Sequence, residues 1–215
     1  MNKVAAFASW DVFDWIINNE RNTFTINSGA YPLIDSPLTV KQKWMNSFIS
    51  EMPYPGYGRG VRWDVLTYEY AFEYLKLNKP RFLYIAFDET DEFAHDIKYD
   101  NYLYAIKRLD SYIEDLWRWL QSQDNYKNKT TLIITTDHGR GKYLNDKWGS
   151  HGASVPNAQN VWAAIVGPDT PSKGEITNSK TIYTNQIAAT IAHLLGFDYN
   201  TNREHGSIIK EMISN

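Results

Sequence analysis

The chain has 215 residues, with 22 Lys and Arg against 25 Asp and Glu, a formal charge of −3. Its 43% hydrophobic and 15% aromatic content suffices for a packed core and excludes intrinsic disorder. The near-neutral balance excludes a basic face tracking nucleic-acid phosphates, and zero cysteines exclude disulfides and thiolate metal sites.

No apolar run reaches the roughly 18 residues of a membrane span. The opening MNKVAAFASWDVFDW lacks the charged and apolar regions of a signal peptide, so none is expected. Residues 3–9 (KVAAFAS) predict a buried strand, and 12–19 a short helix with Asp11 as N-cap. Residues 23–26 predict a second strand, 27–37 a loop, 38–50 a helix, and 52–60 (MPYPGYGRG) irregular chain. The stretch 27–60, rich in Tyr, Pro and Gly, is a candidate substrate-side wall or cap. A helix is expected over 61–77. Residues 81–87 (RFLYIAF) lack polar alternation and predict a central strand covered on both faces.

Residues 99–120 carry one apolar stripe through Tyr102, Ile106, Leu109, Ile113 and Leu120, the mark of a long amphipathic helix. Residues 130–136 (TTLIITT) predict another central strand, and 161–166 (VWAAIV) one more, stopped by Gly167 and Pro168. Thr184 caps an expected last helix over 185–195, which Gly196 ends. The tail from 200 carries no clear pattern. Strands alternating with helices predict one α/β domain with a doubly wound, mostly parallel sheet flanked by helices.

Two of these strands run into acidic residues and histidines. RFLYIAF is followed by Asp88-Glu89-Thr90-Asp91-Glu92-Phe93-Ala94-His95, and TTLIITT by Asp137-His138-Gly139-Arg140-Gly141. Ligands of open α/β sheets sit beyond the carboxyl ends of strands, so both sets are expected on one edge. Carboxylate and imidazole suit zinc and other first-row divalent ions. Taken alone, Asp91 with His95 also reads as a loop carboxylate or a helix cap. Adjacent Asp137 and His138 diverge on extended chain and reach one ion only if the chain turns, which Gly139 and Gly141 permit. His151, within Trp148-Gly149-Ser150-His151-Gly152, reads alone as a solvated loop histidine. His193 reads as a helix residue and His205 as a surface residue.

In order, AFDETDEFAH, TTLIITTDHGRG, WGSHG with VWAAIVGP, and TNQIAATIAHLLG resemble the alkaline phosphatase superfamily. The likeness is to its type I phosphodiesterase/nucleotide pyrophosphatase branch and to the cofactor-independent phosphoglycerate mutases, and it covers about residues 81–206. The resemblance implies a two-metal enzyme acting on small phosphate esters, using zinc or manganese. It implies Asp91, His95 and His151 as ligands of one ion, Asp137 and His138 as ligands of the second, and Arg140 as a residue facing a substrate anion. Asp88 and Glu92 are candidates to orient the imidazoles.

The family's further metal-ligand Asp and its Ser or Thr nucleophile precede everything seen here. Ser9 and Asp11 are poor substitutes, because a long stretch separates nucleophile and Asp-x-x-x-His in the family. The expectation is therefore the C-terminal portion of a longer domain, with the nucleophile absent and activity weak or nil. The alternatives are a sulfatase, a phosphoglycerate-mutase-like transferase, or a non-catalytic metal-binding remnant. Export of a fuller form is open, and the sequence carries no signal of oligomeric state.

Overall fold

The computed structural model describes residues 4–17, 23–34, 37–55, 60–142, 147–177 and 180–214. The expected element ends at Lys3 and 18–19, and parts of the expected loops at 35–36 and 56–59, lie outside the described residues. The chain divides into two compact units: Met1–Leu116 with Arg140–Val155, and Trp117–Gly139 with Pro156–Asn215. Among the described residues no helix is long and apolar enough to cross a membrane.

In the first unit, β1 (Val4–Ala8) is the central strand of a parallel sheet. The one-turn α1 (Phe13–Ile16) leads to β2 (Thr25–Ser28), which pairs with β1 from Ala5↔Thr25 to Ala8↔Ser28. The next helices are α2 (Val40–Asn46) and α3 (Asp64–Asn78). After them β3 (Phe82–Ala86) pairs with the other edge of β1, from Val4↔Phe82 to Ala8↔Ala86. The order β2-β1-β3 reverses direction at β1, the switch of a doubly wound sheet, where ligand sites form beyond the carboxyl ends. The unit continues with α4 (Glu89–His95), directly after β3, and with most of α5 (Tyr99–Ser122).

Several local expectations are corrected. Among the described residues RFLYIAF is not central: β3 ends the three-stranded sheet and β1 occupies the middle, with Ala5, Ala6, Phe7 and Ala8 all at most 2% exposed. An apolar run reports that a strand is coverable, not where it stands in the order. Asp11 does not cap α1; its N–H donates to the Gly60 carbonyl, and the helix starts after Val12. Asn27 and Ser28 belong to β2 rather than to a loop. The helix expected from 61 begins at Asp64, because Val61 bridges Trp10 and Arg62 N–H donates to the Ser9 carbonyl, holding that stretch extended.

The helix over 38–50 is resolved into α2 and a short 3-10 turn at Ile49–Glu51. Thr39 and Gln42 form a reciprocal capping box at the start of α2. The acidic stretch after β3 is itself helical, which its seven residues did not reveal.

The core of this unit joins Phe7, Met45, Ile49, Tyr70 and Tyr74 between the sheet and helices α2 and α3. Phe7 and Tyr74 rings lie 5.4 Å apart in a tilted pair. Fully buried Arg62 is satisfied by the Asn27 side chain (2.5 Å), the Asn27 carbonyl (3.1 Å) and Thr67 (2.8 Å).

In the second unit, β4 (Leu132–Thr135) and β5 (Ala163–Val166) pair antiparallel, Leu132 opposite Val166. Their side chains are half-buried or exposed, with Val166 at 42%, so the double coverage expected of these apolar runs is not found among the described residues. Then comes α6 (Ile187–Leu194), preceded by a 3-10 turn over Thr184–Gln186. Thr184 does not cap it; Gln186 occupies the cap position, and its side chain accepts the Tyr183 N–H at 2.8 Å. Gly196 ends the helix at φ +79, as expected.

Asp64 gives the first unit a pH signature. Burial pushes its carboxyl from 3.8 up to about 6, while hydrogen bonds from Ser9 and the Asp88 amide and the charges of Arg108 and Arg62 hold it down. Between those values the folded chain keeps a proton that the unfolded chain has lost. Stability from this group is therefore complete below pH 3.8 and is lost as pH rises through about 6. Relative to Asp64→Asn, the wild-type chain is expected to lose about 2 kcal/mol between pH 4 and 7, measured by urea unfolding of both chains.

Candidate metal centre

The helix α4 places its donors by spacing. Asp91 and His95, four residues apart, fall on one face. Their side chains are 24% and 32% exposed, whereas Glu89, Glu92, Phe93 and Ala94 are buried. The helix ends in a Schellman motif: Ile97 N–H reaches the Ala94 carbonyl (3.0 Å) and Lys98 N–H the Phe93 carbonyl (2.8 Å). Ile97 takes the left-handed position at φ +57, unusual for a β-branched residue.

His151 comes from a loop anchored by Trp148, which is 8% exposed and packs edge-on against Tyr99 (5.5 Å) and Tyr102 (5.2 Å) of α5. This loop brings His151 Nε2 to 3.1 Å from His95 Nε2 and 3.6 Å from Asp91 Oδ1. His95 Nε2 is also 3.0 Å from Asp91 Oδ2. Ligand atoms of all three residues lie within 4.8 Å of one another.

The protonation pattern follows from His95 Nδ1, which lies 2.7 Å from the Gly149 carbonyl oxygen. A carbonyl only accepts, so Nδ1 carries the hydrogen and donates. In the neutral ring Nε2 then turns a lone pair toward His151 and Asp91. Metal-bound histidines are oriented in the same manner by a second contact. A carboxylate oxygen and two imidazole nitrogens converging at these distances fit a divalent ion, with donor types suited to zinc or manganese.

Arg140 joins the cluster. Its guanidinium forms an ion pair with Asp91 Oδ1 and donates to the Trp148 and Asp91 carbonyls, both at 3.3 Å. Its side chain is only 10% exposed, so it is no ordinary surface arginine. Burial pulls its pKa down to about 10 against the pull of Asp88, and it stays charged at neutral pH.

Asp137 and His138 lie in the second unit, just past β4. The chain turns there: the two side chains approach to 3.7 Å, and Asp137 accepts the His138 N–H at 3.0 Å. His138 Nδ1 faces the Gly139 carbonyl at 3.0 Å, which again makes Nδ1 the donor. Gly139 is needed for closeness: a Cβ would press on the carbonyl oxygens of Asn157 and Asn160. His193 is exposed on α6, and His205 is exposed beside Tyr199, ring centroids 5.0 Å apart.

Three contributors have no signal in the sequence. The Gly149 carbonyl, which orients His95, is a backbone atom and leaves no residue-type trace. Asp64 and Glu89 are both buried and sit 25 positions apart, so nothing local in the sequence joins them. Ser9, a poor nucleophile by sequence position, is fully buried and donates to Asp64 Oδ1 at 2.6 Å.

Compared with known proteins, the chain falls in the alkaline phosphatase superfamily of phosphoester-acting α/β proteins. Residues 4–204 match the type I phosphodiesterase / nucleotide pyrophosphatase family, and the chain belongs to it. It is also similar to a 2,3-bisphosphoglycerate-independent phosphoglycerate mutase of Gracilaria tenuistipitata var. liui, 30% identical over 79 residues. That stretch is 37% of this chain and 14% of the relative, so the chain spans a small fraction of that protein's length.

The Gly149 contact is testable. A Cβ there would stand 2.9 Å from the Ala94 carbonyl oxygen and press on Ile97 Cδ1, and the backbone oxygen cannot yield cheaply. Gly149→Ala is expected to destabilise the chain by about 1–3 kcal/mol in urea unfolding. It is also expected to move the His95 ring 15N resonances, as the carbonyl leaves Nδ1.

Proposed function

We propose that this chain carries the divalent-metal centre of an enzyme that hydrolyses phosphate esters. The observation behind this reading is the convergence of Asp91, His95 and His151, with His95 already oriented by the Gly149 carbonyl. Membership of a phosphodiesterase and pyrophosphatase family supplies the substrate class.

In this reading Asp91, His95 and His151 hold one ion, and zinc or manganese fits the donors. Asp137 and His138 belong to a second ion's site, and two protein donors leave that site weaker. A bound divalent ion supplies positive charge for the oxygens of a phosphoryl group in displacement. The chain's own residues do the rest. Arg140, held at Asp91 by its ion pair and two backbone carbonyls, offers a fixed cation for a substrate anion. Trp148 locks the His151 loop against α5.

The pocket wall expected over 27–60 gains a candidate subsite. A cavity of about 290 Å³ beyond the end of β2 is lined by Asp14, Asn27, Ser28 and Tyr31. It has room for a small leaving group beside an aromatic ring. A transferase reading, on the mutase likeness, uses the same donors.

Titration with Zn²⁺ and Mn²⁺ under chelator competition tests the proposal. Wild type is expected to bind one ion tightly and a second weakly. His95→Ala or His151→Ala is expected to weaken the tight site beyond the roughly 10–100-fold typical of losing an orienting partner. Absence of bound metal in the wild-type chain would overturn the assignment. Turnover of a bis(nitrophenyl) phosphate by this chain is expected to be slow, and brisk turnover abolished by Ser9→Ala would place the nucleophile inside it.

A further inference from the structure

The donors Asp91 and His95 ride on a helix of only seven residues. So short a helix has little stability of its own, and its orientation is set by what grips it. Neither Trp63, at the cap position of α3, nor Asp88, at that of α4, makes a side-chain capping bond. Each helix takes its cap from the first residue of the other.

Asp64, the first residue of α3, accepts the Asp88 N–H through Oδ1 at 2.8 Å and the Glu89 N–H through Oδ2 at 3.1 Å. Glu89, the first residue of α4, accepts the Asp64 N–H through Oε1 at 2.8 Å. Both residues are 1% exposed. Ser9, at the end of β1, donates to Asp64 Oδ1, and Arg108 of α5 pairs with Glu89 Oε2. The exchange thus ties the carboxyl end of the central strand to three helices.

We propose that Asp64 and Glu89 are positioning residues for the metal cluster, setting through exchanged caps the rotation at which α4 presents Asp91 and His95. The proposal rests on the reading that this cluster holds a divalent ion. The path is short. Asp64 holds the Asp88 N–H, and the Asp88 carbonyl accepts the N–H of Asp91 (2.9 Å) and of Glu92 (3.1 Å). Glu89 and Asp91 stand two positions apart, about 200° around the helix. The buried clasp therefore grips the face of α4 turned away from the donors, and a slip in it rotates them.

The test is Zn²⁺ affinity of the whole chain by competition with a chromogenic chelator, with circular dichroism as a check of folding. In Asp64→Asn an amide N–H replaces one accepting oxygen and confronts a backbone N–H. Affinity is expected to fall about 10–100-fold with helix content kept. Glu89→Gln retains an oxygen for the Asp64 N–H and is expected to bind close to wild type, while Glu89→Ala falls with Asp64→Asn. A folded Asp64→Asn chain with wild-type affinity overturns the inference. A wild-type chain that binds no Zn²⁺ overturns the cluster reading instead.

Amide hydrogen exchange of the wild-type chain judges the clasp separately, even where the variants fail to fold. The N–H groups of Asp88, Glu89 and Asp91 are expected to exchange only with global unfolding. Exchange at the rate of a frayed helix end overturns the inference.

Discussion

Backbone N–H groups at a helix start have no partner within the helix, and burying them unpaired is costly. At the carboxyl edge of this parallel sheet two such starts, those of α3 and α4, are buried side by side. Water cannot reach them, and their own cap residues supply no oxygen. Two carboxylates meet the need, yet two buried anions repel. The arrangement holds because donors surround each: a hydroxyl and two amides on Asp64, an amide and a guanidinium on Glu89. The rest of the first unit's functional edge depends on this balance. The end of β1, the exit of β3 and the first turn of α4 are all fixed to it.

Above that foundation the cluster has the opposite character. Beneath α4, acceptors meet donors. On its other face His95 Nε2 stands 3.0 Å from a carboxylate oxygen and 3.1 Å from a second imidazole nitrogen. A carboxylate in such a cluster is stabilised by a positive charge beside it. Arg140 provides one at Asp91 Oδ1. The two faces of one short helix thus differ, one carrying buried, paired donors and acceptors, the other a partly exposed set of possible metal donors.

How much of this was legible varies by the range of the interaction. The strands were readable because apolar runs end abruptly in Asp88 and in Asp137. The long helix α5 was readable from its stripe. Asp91, His95 and His151 were readable because their order along the chain resembles a family pattern, and the structure brings them together. By contrast, seven mostly acidic residues carry no apolar stripe, so α4 passed for a loop. The order of the strands was hidden, since RFLYIAF at the end of the described sheet looks as apolar as the central VAAFA. Asp64 was hidden most fully. In the sequence it falls inside a helix expected over 61–77, whereas its partners are Asp88 and Glu89, 24 and 25 positions away.

Ser9 shows why position alone is a poor guide to role. It stands at the carboxyl end of the central strand, where α/β enzymes place reactive groups. Its hydroxyl lies 2.6 Å from a carboxylate and 2.8 Å from the Thr67 hydroxyl, a geometry that on the surface would suggest an activated nucleophile. Full burial reverses the meaning. The buried hydroxyl serves as a donor in this structure, and the carboxylate that faces it gains a hydrogen bond. The difference between a catalytic pair and a structural one is therefore set here by access. Across the first unit the same rule sorts the acids: Asp64 and Glu89, sealed from solvent, organise the backbone, while Asp91, a quarter exposed, faces the side where chemistry is possible.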